Sequence, residues 1–408
     1  MPIPPLPIPT FPPQNRPQVW LLTSGASPLG LGLARALLPH GDYLVLCVST
    51  ADLDRDANGT GRLFQEFLAE VRRKSRKDGT GEAESGDGGS SSAGGGSTGP
   101  GGQKGWGERV RVCAWDGRIT PYLDTHEPPA IVGTVEELST TLRAQTLVRE
   151  QFETNFFGPM AFIKAALPAM RERRSGHVIV ISGITGHLGT PGLGMYCAAG
   201  WALEGFCDSL AYEIAPFSIK LTIVQTSMEI GILTNKITAA PPLPQYATDN
   251  NPAPLFRGIL SPLLRKLASA TTEAEGSGGY STGNGDANPA NNDDDGMDAR
   301  ASPPPPLSSD KVESFYPAVP DVVRESLVAE TVHALTAIGG HDNPPARHIV
   351  GFEGIASVKE KLKTVSEELE DFIECSAAVD IGKDDDGVGG GGLGREERRA
   401  SSEARSRT

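Results

Sequence analysis

The sequence has few of the cysteine patterns that define disulfide-rich or metal-binding proteins. Its 408 residues include five cysteines, none of them in a Cys-x-x-Cys pair or beside a histidine cluster. Structural zinc sites and disulfide frameworks depend on such spacings. We therefore expect no metal site, and we expect small buried cysteine side chains in a reduced compartment. The five are Cys47, Cys113, Cys197, Cys207 and Cys375.

Basic residues are also fewer than acidic residues. Lys and Arg together number 37 against 51 Asp and Glu, which gives a formal net charge of −14. Binding to a phosphate backbone needs clustered Lys and Arg, so this balance argues against a nucleic-acid partner. Part of the acidic excess falls in residues 293–295 and 384–386, and such runs are typical of solvated loops and tails.

Long hydrophobic runs are absent as well. No apolar stretch reaches the roughly 20 residues that a transmembrane helix needs. Residues 1–17 are rich in proline and lack the basic region of a secretory signal. We therefore expect a cytoplasmic protein with no integral membrane span. Residues 1–17 are predicted to form a disordered arm or, alternatively, a ligand for a proline-binding module.

Low-complexity segments interrupt the part of the chain that can fold. Residues about 74–105 are rich in Gly and Ser, and residues about 268–310 are rich in Gly, Asn, Asp and Pro. Such segments bury too little apolar area to offset the entropy lost on ordering. We predict one domain over residues 18–375 with these two disordered insertions, followed by a disordered tail over residues 376–408.

A glycine-rich turn follows the first apolar run. Val19–Thr23 predicts a strand, Ser24–Gly32 holds the glycines, and Leu33–Leu38 has a helix-forming composition. In this order of strand, turn and helix, glycines let the backbone approach a pyrophosphate at the helix N-terminus. The candidate cofactor-binding residues in this turn are Gly25, Ser27, Gly30 and Gly32.

A second apolar run leads into the stretch around which the chain is organised. Val178–Ile181 predicts a strand, Ser182 and Gly183 begin a turn, and Tyr196 opens a segment with helical apolar spacing. Ligands of open α/β sheets lie at the carboxyl ends of the strands. Tyr196 is therefore a candidate site residue.

These two stretches resemble the classical short-chain dehydrogenase/reductase family. That family has a TGxxxGxG turn, one residue longer in some fungal members, and a serine thirteen residues before a Tyr-x-x-x-Lys pair. Tyr196 matches the tyrosine, whereas Gly183 stands at the serine position and Gly200 at the lysine position. The resemblance implies an α/β fold with a single Rossmann-type, doubly wound, mostly parallel sheet flanked by helices. It also implies an NAD(P)(H)-dependent oxidoreductase acting on a carbonyl or alcohol.

Further positions extend the resemblance. Asn155 matches the family's helical asparagine that anchors a proton-relay water, and Asp116 matches the aspartate at the adenine end of the cofactor. Ser49 ends the second predicted strand, where an acid would bind the NAD ribose. The cofactor expectation is therefore NADP(H) over NAD(H), or a site that no longer discriminates.

The C-terminal region implies a substrate class. Residues 344–362 resemble the subgroup of 17β-hydroxysteroid dehydrogenases and acyl-dihydroxyacetone-phosphate reductases, so a small apolar substrate of steroid, retinoid or lipid type is implied. Family members often pair through the helices that hold Asn155 and Tyr196. A homodimer or tetramer is therefore implied too, although the large insertions could block it.

One strand of the family pattern has no clear counterpart. The family's central strand ends in Asn-Asn-Ala-Gly, but here Pro121, Pro128 and Pro129 interrupt the corresponding region. Proline cannot donate to a sheet ladder, which leaves only Ala130–Val132 as a short strand. Three explanations stay open: the central strand is lost, a nearby piece replaces it, or the gene model is in error.

Loss of the family's serine and lysine leaves three functional hypotheses. A phenol with a pKa near 10 is ionised in about one molecule in a thousand at neutral pH, a cost of roughly 4 kcal/mol. A lysine would reduce that cost, and Gly200 cannot. The first hypothesis is a working oxidoreductase that uses Tyr196, Asn155 and a substitute donor such as His187. The second is a catalytically inactive dinucleotide-binding or regulatory protein, and the third is an interaction protein.

Overall fold

The computed structural model describes residues 6–13, 17–50, 53, 60–79, 105–115, 130–227, 230–233, 236–247, 249–260, 262–265, 311–373 and 375. Strands and helices alternate along these ranges, and most strand pairs are parallel, so the predicted Rossmann-type α/β architecture is confirmed. Two compact units divide the chain, Met1–Val358 and Lys359–Thr408.

The strands are β1 (Val19–Leu22), β2 (Tyr43–Ser49), β3 (Val110–Trp115), β4 (Ala130–Val132), β5 (Gly176–Gly183), β6 (Ile219–Thr226), β7 (Ile237–Ala239), β8 (Glu313–Phe315) and β9 (Arg347–Val350). The helices are α1 (Pro28–His40), α2 (Thr60–Gly79), α3 (Trp106–Arg109), α4 (Leu142–Phe152), α5 (Gly158–Arg173), α6 (Gly194–Ile214), α7 (Ile230–Leu233), α8 (Asp321–Ile338) and α9 (Phe352–Asp371). None of the helices in the described ranges is long and apolar enough to cross a membrane.

The first sheet is parallel and has the order β1-β2-β3. Helices α1 and α2 cover it with fully buried side chains, among them Leu37, Phe64 and Phe67, which pack with Leu44 and Leu46 of β2. Leu44 and Leu46 are two positions apart on β2 and therefore point to the same face of the sheet.

The second sheet is also parallel and has the order β5-β6-β9. Val224 of β6 and Val350 of β9 belong to the same apolar cluster as Leu44 and Leu46 of the first sheet. The two sheets therefore share one core, with α1 and α8 in contact beside it.

The third sheet is small and joins β4, β7 and β8. The short strand predicted at residues 130–132 does form, and it pairs in parallel with β7, while β8 is antiparallel to β7. Within the described residues, β1 pairs only with β2 and β5 only with β6. The strands thus form three groups of three, and residues 116–129, with their prolines, lie outside the described ranges.

The ends of the predicted low-complexity segments are partly described. Helix α2 continues to Gly79, inside the range predicted as the first insertion, and residues 80–104 and 266–310 lie outside the described ranges. Part of the N-terminal arm packs on the domain. The Phe11 ring stacks on His40 with centroids 3.7 Å apart, and His333 Nδ1 lies 2.7 Å from the carbonyl oxygen of Ile8.

Candidate functional site

The glycine turn after β1 closes tightly against β2. The Gly25 N–H donates to the carbonyl oxygen of Cys47 at 2.8 Å, and a Cβ on Gly25 would lie 2.8 Å from Leu46 Cβ. A Cβ on Gly30 would lie 2.3 Å from the carbonyl oxygen of Ser24. Both contacts are shorter than real Cβ atoms make, so the turn depends on glycine at positions 25 and 30.

Ser27 organises the N-terminus of α1. Its Oγ accepts a hydrogen bond from the Gly30 N–H at 3.0 Å and donates to the carbonyl oxygen of Ser24 at 2.8 Å. This is an N-cap, followed by Pro28 at the first helical position. The positive end of the α1 dipole therefore faces the turn.

Gly32 has a different environment from the other predicted cofactor residues. A Cβ on Gly32 would lie 2.6 Å from Val328 Cγ1 of α8. The absence of a side chain therefore lets α1 and α8 approach closely. The structure brings Gly25, Ser27 and Gly30 into one turn, while the contact found at Gly32 is with a neighbouring helix.

This turn fits the pyrophosphate of a dinucleotide, because the capped N-terminus of α1 begins there and the positive end of the helix dipole favours an anion. Ser49 ends β2 as predicted and is buried. Asp116, the predicted adenine-end residue, lies outside the described ranges.

Asn155 lies in a π-helical turn, Glu153–Phe157, between α4 and α5. Such turns break the regular hydrogen bonding of a helix and are frequent at functional sites. The Asn155 Oδ1 atom is buried and has no hydrogen-bond partner within the protein. This turn packs against α6, with the Phe156 and Phe206 rings in an edge contact at 6.4 Å. Asn155 is thus an acceptor with unused capacity next to the helix that carries Tyr196.

Tyr196 lies in the first turn of α6 and is 9 % exposed. Its neighbours in the apolar cluster include Val132 of β4, Ile237 of β7 and Phe256. The third sheet therefore contributes apolar side chains to the cluster that contains Tyr196.

The end of β5 lies beside α6. Ser182 is buried and its Oγ donates to the carbonyl oxygen of Gly183 at 3.3 Å. The same Oγ lies 2.5 Å from the point that a Cβ on Gly186 would occupy, and Glu204 Oε1 lies 2.3 Å from that point. Ser182 is thus directed toward Gly186 and Glu204 of α6.

Gly200 faces the short 3-10 turn Ile184–Gly186. A Cβ at Gly200 would lie 3.4 Å from Gly186 Cα, which is an ordinary van der Waals contact. Trp201 Nε1 donates to the carbonyl oxygen of Thr185 at 3.0 Å and holds the turn on the helix. His187 follows this turn and is half-buried, with its backbone N–H bonded to the carbonyl oxygen of Ile184 at 2.9 Å.

Residues 131–238 match the family model described as short chain dehydrogenase. This segment is therefore similar to short-chain dehydrogenases. It contains Asn155, Tyr196 and both glycine replacements, Gly183 and Gly200, whereas the glycine turn lies outside it.

Curated relatives match up to about a third of the chain. Human retinol dehydrogenase 8 is 35 % identical over 138 residues, which is 34 % of this chain and 43 % of that protein. The 3-ketodihydrosphingosine reductase of Bacteroides thetaiotaomicron is 45 % identical over 84 residues, or 21 % of this chain and 31 % of that protein. The chain thus spans less than half the length of these relatives.

A solved structure extends the likeness of fold beyond the segment that matches the family model. A short-chain dehydrogenase from Streptomyces avermitilis aligns with a TM-score of 0.50 at 20 % identity, covering 90 % of this chain and 99 % of that one. At this identity the likeness concerns the fold alone.

Sequence reasoning missed the buried acid Glu204, which lies on α6 within the matched segment. Glu204 is 4 % exposed and accepts hydrogen bonds from Gln225 Nε2 at 2.8 and 2.9 Å. Arg347 Nε of β9 lies 3.5 Å from its Oε2 atom. A glutamate within an apolar helical pattern was the available indication, but its partners on β6 and β9 are distant in the sequence.

Proposed function

We propose that the protein is a short-chain-type oxidoreductase that binds NADP(H) in preference to NAD(H) and acts on a carbonyl or alcohol of an apolar substrate. One observation carries the proposal: Tyr196 and the unpartnered Asn155 Oδ1 belong to packed elements within the family segment. The position of Ser49, where no carboxylate ends β2, supports the cofactor preference.

The apolar substrate class is supported by the surroundings of Tyr196. A cavity beside the first turns of α6 is lined by Pro191, Cys197, Ala198 and Trp201, and such a largely apolar lining favours contact with an apolar molecule. The names of the relatives, a retinol dehydrogenase and a ketosphingosine reductase, point to the same class.

In the proposed reaction, bound nicotinamide supplies or accepts the hydride. Tyr196 donates the proton to the substrate oxygen during reduction and takes it back during oxidation. Asn155 holds a water through its free Oδ1. The turn of Gly25, Ser27 and Gly30 holds the pyrophosphate. Without a lysine at position 200 the phenol keeps most of its ionisation cost of roughly 4 kcal/mol, so alcohol oxidation at neutral pH is slow.

The deciding experiment titrates the full-length protein with NADPH and NADH by nicotinamide fluorescence and then measures reduction of retinal. We expect saturable binding with tighter NADPH, and slow turnover that Tyr196→Phe abolishes while binding stays unchanged. Binding without any turnover would identify an inactive dinucleotide-binding protein. Absence of binding would exclude both the active oxidoreductase and the inactive dinucleotide-binding protein.

A matched pair of variants tests the role of position 200. A Cβ fits there, so both Gly200→Lys and Gly200→Ala are expected to fold. Gly200→Lys should raise kcat at pH 7 at least tenfold and move the pH optimum for alcohol oxidation downward, since an ammonium group favours the phenolate. Equal rates in the two variants would contradict the expected effect of a lysine at position 200 on the Tyr196 phenol.

A further inference from the structure

Cys47 and Cys113 lie side by side in the first sheet. Strands β2 and β3 are parallel, and their register pairs these two residues directly. Paired residues on neighbouring strands point to the same face, with backbones about 4.8 Å apart. Disulfides join cysteines whose Cα atoms are usually about 4.4 to 6.8 Å apart. The strand register therefore places the two thiols within bridging range.

The two sulfurs differ in their access to solvent. Both cysteines are free; Cys113 is exposed, whereas Cys47 is 9 % exposed. Burial, together with the neighbouring Cys113, raises the pKa of Cys47 to about 11. A dissolved oxidant therefore meets Cys113 first, and Cys47 is placed to react with the product.

We propose that Cys47 and Cys113 are a thiol pair that a peroxide converts to a disulfide between β2 and β3. With hydrogen peroxide, Cys113 Sγ attacks one oxygen, the O–O bond breaks, and a sulfenic acid and one water form. Cys47 Sγ then attacks Cys113 Sγ, the S–O bond breaks, and a second water leaves. The two thiols lose two electrons in all, and the peroxide gains them.

The disulfide would be connected to the glycine turn through Cys47. The carbonyl oxygen of Cys47 accepts the Gly25 N–H at 2.8 Å, so the disulfide fastens β3 to the residue that anchors this turn. A change in NADPH affinity on oxidation is expected only if the proposed function holds. The formation of the bridge does not depend on that function and is measured without cofactor.

The test treats full-length protein with hydrogen peroxide, alkylates remaining thiols under denaturing conditions, and maps tryptic peptides by mass spectrometry without reductant. We expect a linked species joining residues 36–55 to residues 112–118, which dithiothreitol separates. Cys113→Ser should abolish it and Cys375→Ser should retain it. Both substitutions are at exposed positions and should leave the fold intact.

The remaining cysteines supply an internal control. Cys197 and Cys207 are buried on α6, ten positions apart, or about 15 Å along the helix axis. They should stay reduced during the peroxide treatment and be recovered as alkylated thiols. The proposal fails if oxidised Cys113 is recovered as a sulfinic acid or linked to a second chain while Cys47 remains a free thiol. It also fails if neither cysteine changes.

Discussion

His177 is a half-buried imidazole on β5 whose charge the fold disfavours. Burial, with a smaller contribution from the Lys220 ammonium, lowers the pKa of His177 to about 4. Nε2 lies 2.9 Å from Thr222 Oγ1, and the buried Nδ1 has no hydrogen-bond partner in the protein. The unfolded chain therefore binds a proton more readily than the folded chain does. His177 imposes no penalty on the free energy of unfolding above its ordinary pKa of 6.5. The penalty grows as the pH falls from there towards 4.

This linkage gives a measurable acid sensitivity. Between pH 7 and pH 5, His177 should reduce the free energy of unfolding by about 2 kcal/mol. Urea denaturation at the two pH values should show a smaller loss in His177→Gln than in the wild type. His341→Gln, at an exposed position, should behave as the wild type. Equal losses of unfolding free energy in the wild type and His177→Gln would contradict the assignment of this acid sensitivity to His177.

The glycine turn supplies a steric prediction at a single residue. Gly30→Ala places a Cβ against the carbonyl oxygen of Ser24, a backbone atom that cannot rotate away. We expect a loss of about 2 kcal/mol in unfolding free energy, and weaker NADPH binding if the proposed function holds. Thermal and urea unfolding report the first effect, and the fluorescence titration reports the second. Gly189→Ala meets no atom within 4 Å and should change neither.

Among the structural elements, Glu137 links three segments around the third sheet. It is 1 % exposed and accepts hydrogen bonds from the Thr134 N–H at 2.8 Å, the Leu243 N–H at 3.0 Å and Arg257 Nη1 at 2.9 Å. Burial by itself would raise the pKa of Glu137, but these hydrogen bonds and the Arg257 charge outweigh it and hold the pKa below its usual value.

Removal of the Glu137 charge should therefore destabilise the packing beside Tyr196. Glu137→Gln is expected to cost about 3 kcal/mol, since it leaves the half-buried Arg257 guanidinium without its counter-charge. The carboxylate's contribution is complete above the ordinary pKa of 4.5 and is lost as the pH falls through its lower folded value, so the variant should lose less stability in acid. Glu70→Gln breaks more exposed ion pairs and should cost about 1 kcal/mol or less. Equal costs in urea denaturation would contradict this account.

Local sequence patterns predicted individual elements well but their partners poorly. The run Val19–Thr23 predicted β1, and the glycines after it predicted the turn, because apolar β-branched residues and glycines act over a few positions. The pairing of β4 with β7 was not predictable. Strand β7 follows β4 by more than 100 residues, and strand partners depend on contacts distant in the sequence.

The candidate site shows the same division. Tyr196 and Asn155 could be identified from the family resemblance, but the unpartnered Oδ1 of Asn155 and the apolar cluster that contains Tyr196 required the packed structure. The contact at Gly32 differs from the expected pyrophosphate role because α8, almost 300 positions later, packs there.

For the whole molecule, the position of β9 has a consequence for how the chain acquires its structure. Thr222 beside β9 donates to the carbonyl oxygen of Pro345, a partner 123 residues later, whereas β1 pairs with β2 across one helix. Closing so long a loop costs about 4 kcal/mol of chain entropy, so this pairing forms late. The ribosome adds about 5 to 20 residues per second, so β9 is synthesised roughly 6 to 25 seconds after β6. During that time the edge of β6 is unpaired, and a chaperone or a neighbouring nascent chain can bind to it.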